Sequence, residues 1–368
     1  MNHSADVVIA GGGIVGAACA YECARAGLSV TVIEGAIIGG GASAAGMGHI
    51  VVMDDSEAQF NLTLLSQQLW SERVAEMTDG VEHLPCGTLW VAADEEEMAE
   101  VRRKRAFYSQ RGVPVEMLDS RQLAEAEPHL RPDLAGGLLV PGDSVVYPPV
   151  AARWLLDRCG ARVLTGVPIA TLDDNGATLE DGSRVSGGVI VNALGAKAAR
   201  LMPSIPVTPR KGHLVITDRY PGFLRHQLVE LGYLKSAHSA GADSIAFNVQ
   251  PRRTGQVLIG SSRQFGADHK GIDQPILSRM LRRAAEYMPR IGSLIAIRAW
   301  TGFRAATPDH LPLIGPMPGA SRLWLATGHE GLGVTTALAT GRLIADQITG
   351  RSSPIDAAPY LPARCIHG

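Results

Sequence analysis

The chain has 368 residues, of which 46% are apolar, 19% charged and 42 glycine. An apolar share of that size excludes a disordered chain, and glycines without a three-residue period exclude a collagen. The 34 Lys+Arg against 36 Asp+Glu leave a net charge of −2, which offers no general field for nucleic acid or an anionic membrane.

In chain order, Asp6-Val7-Val8-Ile9-Ala10 reads as a buried parallel strand and Gly11–Gly13 as a turn. Ile14 to Ala26 reads as a helix. Its small residues Ala17, Ala18, Ala20 and Ala24 permit close packing, and Gly27 ends it. Ser29–Glu34 is a second strand. This βαβ opening predicts an α/β domain with a parallel sheet. A Gly-, Ala- and Ser-rich loop fills residues 35–48, and residues 1–48 together hold 11 of the 42 glycines.

Ser56 is expected to cap a helix running to about Thr78, with Gln59 completing a capping box. Thr88–Ala92 reads as a strand and Glu95–Arg111 as a helix. In that helix Glu95-Glu96-Glu97 precedes Arg102-Arg103-Lys104-Arg105, which reads as a solvated face with i,i+4 pairs. Pro148 starts a helix through Cys159. Arg162 to Asn192 returns to strands, with hairpin turns at Asp174-Asn175-Gly176 and Asp181-Gly182 and a buried strand at Val189–Asn192. Residues 207–265 read as strands with turns at Gly241 and Thr254-Gly255, and Leu277–Met288 as a helix. Trp300 to Gly315 is expected to be loop-rich, with Pro308 and Pro312 inside it and Pro316 beyond. Leu323–Thr327 is a strand, Gly328–Gly333 a turn and Val334–Gly350 a final helix.

The length exceeds the roughly 100–200 residues of one domain, and no linker is visible, so two interleaved domains are expected. The five cysteines, Cys19, Cys23, Cys86, Cys159 and Cys365, are odd in number and form no CxxC. They suit a reducing compartment, and Cys19 and Cys23 read as small buried residues. No metal-ligand set is visible. No secretory signal and no apolar run of 18 residues is present, so the expected location is the cytoplasm.

Gly11-x-Gly13-x-x-Gly16 lies between a strand and a helix, as a dinucleotide site requires. The first glycine makes the tight turn, the second admits a pyrophosphate, and the third packs the helix. The helix N-terminus then offers free N–H groups to phosphate. Glu34 ends the second strand, where a carboxylate suits a ribose diol. Three further segments exceed what an NAD enzyme needs: Gly39-Gly40-Gly41-Ala42-Ser43, Val191-Asn192-Ala193-Leu194-Gly195, and Thr327-Gly328-His329-Glu330-Gly331-Leu332-Gly333.

With these segments the chain, from Asp6 to about Arg364, resembles the FAD-dependent D-amino-acid oxidase superfamily in its glycine oxidase and sarcosine oxidase branch. Trp300-Thr301-Gly302-Phe303-Arg304 and Thr307-Pro308-Asp309-His310-Leu311-Pro312-Leu313-Ile314-Gly315 are similar to that branch's GxRPxTxDxxPxIG pattern. Residues 44–55 and 328–336 look most like the catalytic β subunit of bacterial D-hydroxyproline dehydrogenases. The resemblance implies an FAD-binding Rossmann-type domain (1–82, 143–206 and 298–368). Interleaved with it is an α+β substrate domain on an antiparallel sheet (83–142 and 207–297). It implies cofactor contacts at Gly11, Gly13, Ile14, Val15, Gly16, Glu34, Gly41, Ala42, Ser43, Ala45, Gly46, Met47, Gly48, Val167, Ala193, Gly195, Gly302, Gly328, Gly331, Leu332, Gly333, Val334 and Thr335.

The implied reaction oxidises the C–N bond of a D-amino acid, with D-proline or cis-4-hydroxy-D-proline as the expected substrate and an electron acceptor other than oxygen. Arg304 takes the family's carboxylate-binding position, where a guanidinium fork grips both oxygens. Arg210, Arg252 and Arg263 are weaker candidates for that role. His49 and His329 lie near the ring by motif position, with a structural histidine as the competing reading, and His213 reads as structural. Two places depart from the family. Asn248 stands where related enzymes often carry a tyrosine, and Leu258 where monomeric sarcosine oxidases carry a lysine. Rival readings are a peroxide-forming glycine or sarcosine oxidase, a flavin subunit that only relays electrons, and an NAD-dependent enzyme. The β-subunit resemblance implies a hetero-oligomer with electron-transfer subunits.

Overall fold

The computed structural model describes residues 3–232 and 243–366, so the turn expected at Gly241 lies outside the described residues. The chain forms two compact units, Met1–Val81, Tyr147–Pro209 and Phe303–Gly368 in the first, Glu82–Val146 and Arg210–Gly302 in the second.

The first unit is built on a sheet in the order Leu313–Pro316, Leu323–Thr327, Arg184–Asn192, His3–Ala10, Val30–Glu34, Arg162–Thr165. All neighbours after the first pair are parallel. Val7, Val8, Ile9 and Ala10 are fully buried, as a central parallel strand covered on both faces must be. The first helix, Ile14–Arg25, is lined by Ala17, Ala18, Cys19 and Ala20, all buried. The final helix, Ala337–Thr349, crosses it so closely that a Cβ on Gly341 would sit 2.4 Å from the Ala18 carbonyl oxygen. Burial pushes the Cys19 thiol well up and that of Cys23 up to about 12, so both stay protonated. The Asp174 carboxylate, in one of the expected hairpin turns, accepts the backbone N–H groups of Ser321, Arg322 and Leu323.

The second unit carries an eight-stranded sheet that runs from the edge strand Ala296–Ala306 through Thr208–Arg219, Gln256–Arg263, Ser244–Pro251, Gln227–Glu230, Thr88–Ala92 and Gly136–Val140 to Glu116–Asp119. From Thr208–Arg219 onward its pairs are antiparallel except Gln227–Glu230 with Thr88–Ala92. The amphipathic helix Gln274–Tyr287, capped by Asp273, buries Met280, Ala284 and Tyr287 against Phe247, Val249, Val257 and Ile259 of one sheet face. Phe247 and Tyr287 stack with ring centroids 4.6 Å apart.

Four expectations change. Trp300 to Gly315 is not mainly loop, because Ala296–Ala306 is an eleven-residue strand. Gly302 and the exposed Ile295 and Ile297 hide the alternation, since an edge strand need not bury one face cleanly. The helix capped by Ser56 ends at Ser71 and gives way to a 3₁₀ turn at Val74–Glu76. The regular final helix starts at Ala337, three residues after Val334. Lys104, counted with a solvated basic run, is fully buried with its Nζ 4.3 Å from the Trp90 ring centroid. The helical period explains it: Met98, Val101, Lys104 and Tyr108 form the buried stripe of Glu95–Gln110. Its neighbour Arg103 does face outward, paired with Glu100.

Gly341→Ala should destabilise the protein by about 1–3 kcal/mol, the cost of overpacking, although alanine favours a free helix. A urea midpoint at or above that of the unmodified protein would show that the two helices separate easily.

Candidate active site

Within the first unit the glycine turn is defined by two contacts that leave no space for a side chain. Gly11 has φ +111°, and a Cβ there would lie 2.6 Å from the Ala193 carbonyl oxygen. A Cβ on Gly16 would lie 1.9 Å from the oxygen of Gly11. The third glycine therefore packs against the turn itself. The first helix starts with Gly13 in an extended conformation, with no side-chain cap and no acidic residue in its first turn. The Ile14 N–H donates to Ser43 Oγ at 3.0 Å. The N–H groups of Gly13 and Val15 have no partner among the described residues. That leaves a helix end with free donors and a positive dipole, suited to phosphate.

Glu34 ends its strand half-buried. One carboxylate oxygen accepts the Gly12 N–H and the other the Ala36 N–H, both at 2.9 Å. Each oxygen keeps a further lone pair for a diol. Gly39 donates to the Gly12 carbonyl at 2.9 Å, so the small-residue loop folds back on the turn. Along it Gly41 and Ala42 are exposed, Ser43 and Gly48 buried, and Ala45, Gly46 and Met47 half-buried. Ala193 is buried, Gly195 takes φ +56° and accepts the Thr327 hydroxyl at 3.1 Å, and Val167 packs on the cluster around Val8 and Ile33.

The C-terminal glycines meet this turn: a Cβ on Gly333 would be 3.6 Å from Val15 Cγ2. Gly328 has φ +83°, with the Thr307 methyl 2.5 Å from its missing Cβ. A Cβ on Gly331 would lie 3.3 Å from both Cδ and Nε of Arg304, so the half-buried arginine stem runs directly past this loop. Leu332 donates its N–H to the His329 carbonyl, and Trp70 Nε1 donates to the Val334 carbonyl at 3.1 Å. The Thr335 hydroxyl donates to the backbone carbonyl of half-buried His49 at 2.8 Å. His329 is buried, with Nε2 3.0 Å from Thr340 Oγ1. Burial pushes its pKa down to about 3, so it is neutral at pH 7.

Asn248 belongs to the second unit. It stands opposite Val229 and Gly260, half-buried, and its Oδ1 is buried without a hydrogen-bond partner. Its neighbours Phe247 and Val249 face the covering helix, so Asn248 is on the opposite face of the sheet. Gly302 is in this unit too, half-buried in the edge strand. His213 is wedged between Ser262 Oγ and the Asp273 N–H, each at 3.0 Å. Arg252 grips Glu82 through two nitrogens, at 2.9 and 2.6 Å, and the Arg210 guanidinium lies 4.4 Å from the Phe265 ring centroid. Sequence reasoning missed the Ser43 hydroxyl on the helix start, the Thr335–His49 link and a bond from His310 to Glu330; none of these has a residue pattern that announces it.

Residues 6–347 match the family model described as DAO, FAD dependent oxidoreductase. A glycine oxidase of Geobacillus kaustophilus is 29% identical over all of this chain and 98% of its own. The crystal structure of a glycine oxidase from Geobacillus kaustophilus superposes with a TM-score of 0.88 at 27% identity, covering 100% of both chains. The hydrogen cyanide synthase subunit HcnC of Pseudomonas aeruginosa is 28% identical over 99% of this chain and 97% of its own. No helix among the described residues is long and apolar enough to cross a membrane.

A neutral buried histidine makes the fold sensitive to acid. With its native pKa about 3 and an unfolded value of about 6.5, the unfolded chain takes up the proton first as pH falls. Stability is therefore full above about pH 6.5 and should drop by about 2 kcal/mol by pH 5 from this group alone. Urea unfolding at pH 7 and pH 5 should show a smaller drop in His329→Gln than in the unmodified protein; equal drops would count against a neutral imidazole.

Proposed function

The chain belongs to the DAO family of FAD-dependent oxidoreductases, and from that premise we propose that it oxidises the C–N bond of a D-amino acid whose carboxylate is held by Arg304. FAD is the cofactor. The residues fit it: the glycine turn admits a backbone-close ligand, free N–H groups open the first helix, and Glu34, held by the Gly12 N–H, would accept from a ribose diol. Gly11, Gly13, Ile14, Val15, Gly16, Ser43, Ala193 and Gly195 would hold the dinucleotide. Leu332, Gly333, Val334 and Thr335 would meet the flavin through backbone groups.

The observation that carries the reading is the position of Arg304. Its stem is lodged beside Gly331, in a loop that also packs on Val15 of the first helix turn. A guanidinium there would offer a bidentate fork to a carboxylate, and gripping both oxygens would set the direction of the α-carbon. When bound, FAD supplies the two-electron chemistry by accepting the hydride that leaves the α-carbon. The substrate amine must be neutral for this, and desolvation favours loss of its proton without a dedicated base. His329 is neutral and bonded to Thr340, which suits a packing role. His49 remains the candidate imidazole beside Thr335. Asn248 is assigned a hydrogen bond to the substrate from its sequence position.

The finer reading is a D-proline or cis-4-hydroxy-D-proline dehydrogenase in a complex with electron-transfer subunits. It is supported by residues 44–55 and 328–336 and by Leu258 in place of the sarcosine oxidase lysine. Similarity to a protein named as a subunit supports the complex. A second reading, an oxygen-using glycine or sarcosine oxidase, is favoured by the full-length similarity to a glycine oxidase.

Anaerobic mixing with a panel of D- and L-amino acids, glycine and sarcosine should bleach the flavin fastest with D-proline or its hydroxy derivative. Fastest bleaching by glycine or sarcosine would favour the second reading, as would peroxide formed at the full turnover rate. Arg304→Ala should keep its FAD and weaken substrate binding by about 2–5 kcal/mol, the range for removing one partner of a buried charge pair. An unchanged KM in that variant would remove Arg304 from the site.

A further inference from the structure

Only three non-glycine residues among those described take a positive φ, and two of them hold each other. His310 has φ +61° and Glu330 φ +39°. Their side chains meet at 2.7 Å, Nδ1 to Oε2, with the carboxylate 6% exposed and the imidazole 44%. An L-residue in this region relaxes unless its surroundings hold it. The pair therefore joins two loops, 307–312 and 328–333, at the two residues whose backbone is left-handed.

Each end of the fastening is anchored. On the His310 side, Asp309 takes the Arg364 guanidinium at 2.6 and 3.1 Å, and the Thr307 hydroxyl donates to the Leu311 carbonyl at 2.8 Å. On the Glu330 side, its own N–H donates at 2.9 Å to the carbonyl of Ala305, the residue after Arg304. The next residue, Gly331, is the one whose missing Cβ would press on Arg304 Cδ and Nε. A continuous path thus runs from His310 through the Glu330 carboxylate and backbone to the wall beside the arginine stem.

We propose that Glu330 and His310 are positioning residues for Arg304. Their bond holds the 328–331 backbone against the arginine stem and so removes rotamers that the long side chain would otherwise explore. A guanidinium already aimed loses less entropy when it binds a carboxylate, so the pair should act on substrate affinity. This rests on the reading of Arg304 as the carboxylate fork, but it assigns the fork a support that charge alone does not supply.

The test compares Glu330→Ala, Glu330→Gly, Glu330→Gln and His310→Ala as FAD-loaded proteins. The substrate is whichever amino acid of the panel bleaches the flavin, and pyrrole-2-carboxylate serves as a non-oxidisable carboxylate followed by the shift in flavin absorption. Glu330→Ala and His310→Ala should raise KM and the Kd of pyrrole-2-carboxylate about tenfold or more, with kcat changed far less. Glu330→Gly tolerates the left-handed backbone and should fold well yet show the same loss of affinity. Glu330→Gln keeps an acceptor for Nδ1–H and should recover most of the affinity. Unchanged KM and Kd in both Glu330→Gly and His310→Ala would overturn the proposal, as would a fall in melting temperature and FAD content alone. Arg304→Ala separates the two failures: if it weakens carboxylate binding while the pair variants do not, only the positioning role falls, and if it has no effect, both fall.

Discussion

Between Gly11 and Gly16 there is no room for one carbon atom, and most of the first unit follows from that contact. Because the helix start touches the turn oxygen, the first helix leaves the strand end at one fixed angle. That angle turns its leading N–H groups outward and brings Ser43 to the Ile14 N–H. It also sets the Gly12 N–H against Glu34, which ties the helix start to the end of the second strand. The same economy of volume recurs where Gly341 meets the backbone of Ala18. Here side chains are excluded so that backbone can approach backbone or a ligand, and specificity comes from where the N–H groups point.

The neighbourhood of Arg304 works by a different principle. Its geometry depends on loops in which several polar side chains bind backbone: Thr307 to Leu311, Arg364 to Leu311, Thr336 to Leu332. A single rigid strand would hold one residue well. Two loops joined by His310 and Glu330 give the backbone beside the Arg304 stem a support that one strand would not. In the second unit, His213, Ser262 and Asp273 form a comparable polar brace, but it serves to tie a helix cap to the sheet.

What was legible in the sequence divides along these lines. Steric demands appear directly as residue types, so the glycine turn, the small-residue first helix and the carboxylate ending the second strand could be read with nearly correct boundaries. Of the capping box expected at Ser56, the half in which its hydroxyl accepts the Gln59 N–H is present. Lys104 was misread because charge was counted along the chain, while burial follows the angle around the helix. The edge strand Ala296–Ala306 was misread because an exposed edge has no enforced alternation. His310 and Glu330 were invisible for a deeper reason, since a left-handed residue other than glycine is imposed by its tertiary partners and leaves no mark in its own sequence.

The packing of Ala337–Thr349 on Ile14–Arg25 has a consequence for the order in which the chain is made. The apolar small-residue face of Ile14–Arg25 emerges from the ribosome long before Ala337–Thr349, the helix that covers it. Until then the opening βαβ element carries an uncovered seam of alanine and cysteine. Contacts so far apart in sequence slow folding and lengthen the time for which such a surface stays open to wrong partners. A nascent chain stalled before residue 337 would therefore be a more natural target for chaperones than for its cofactor.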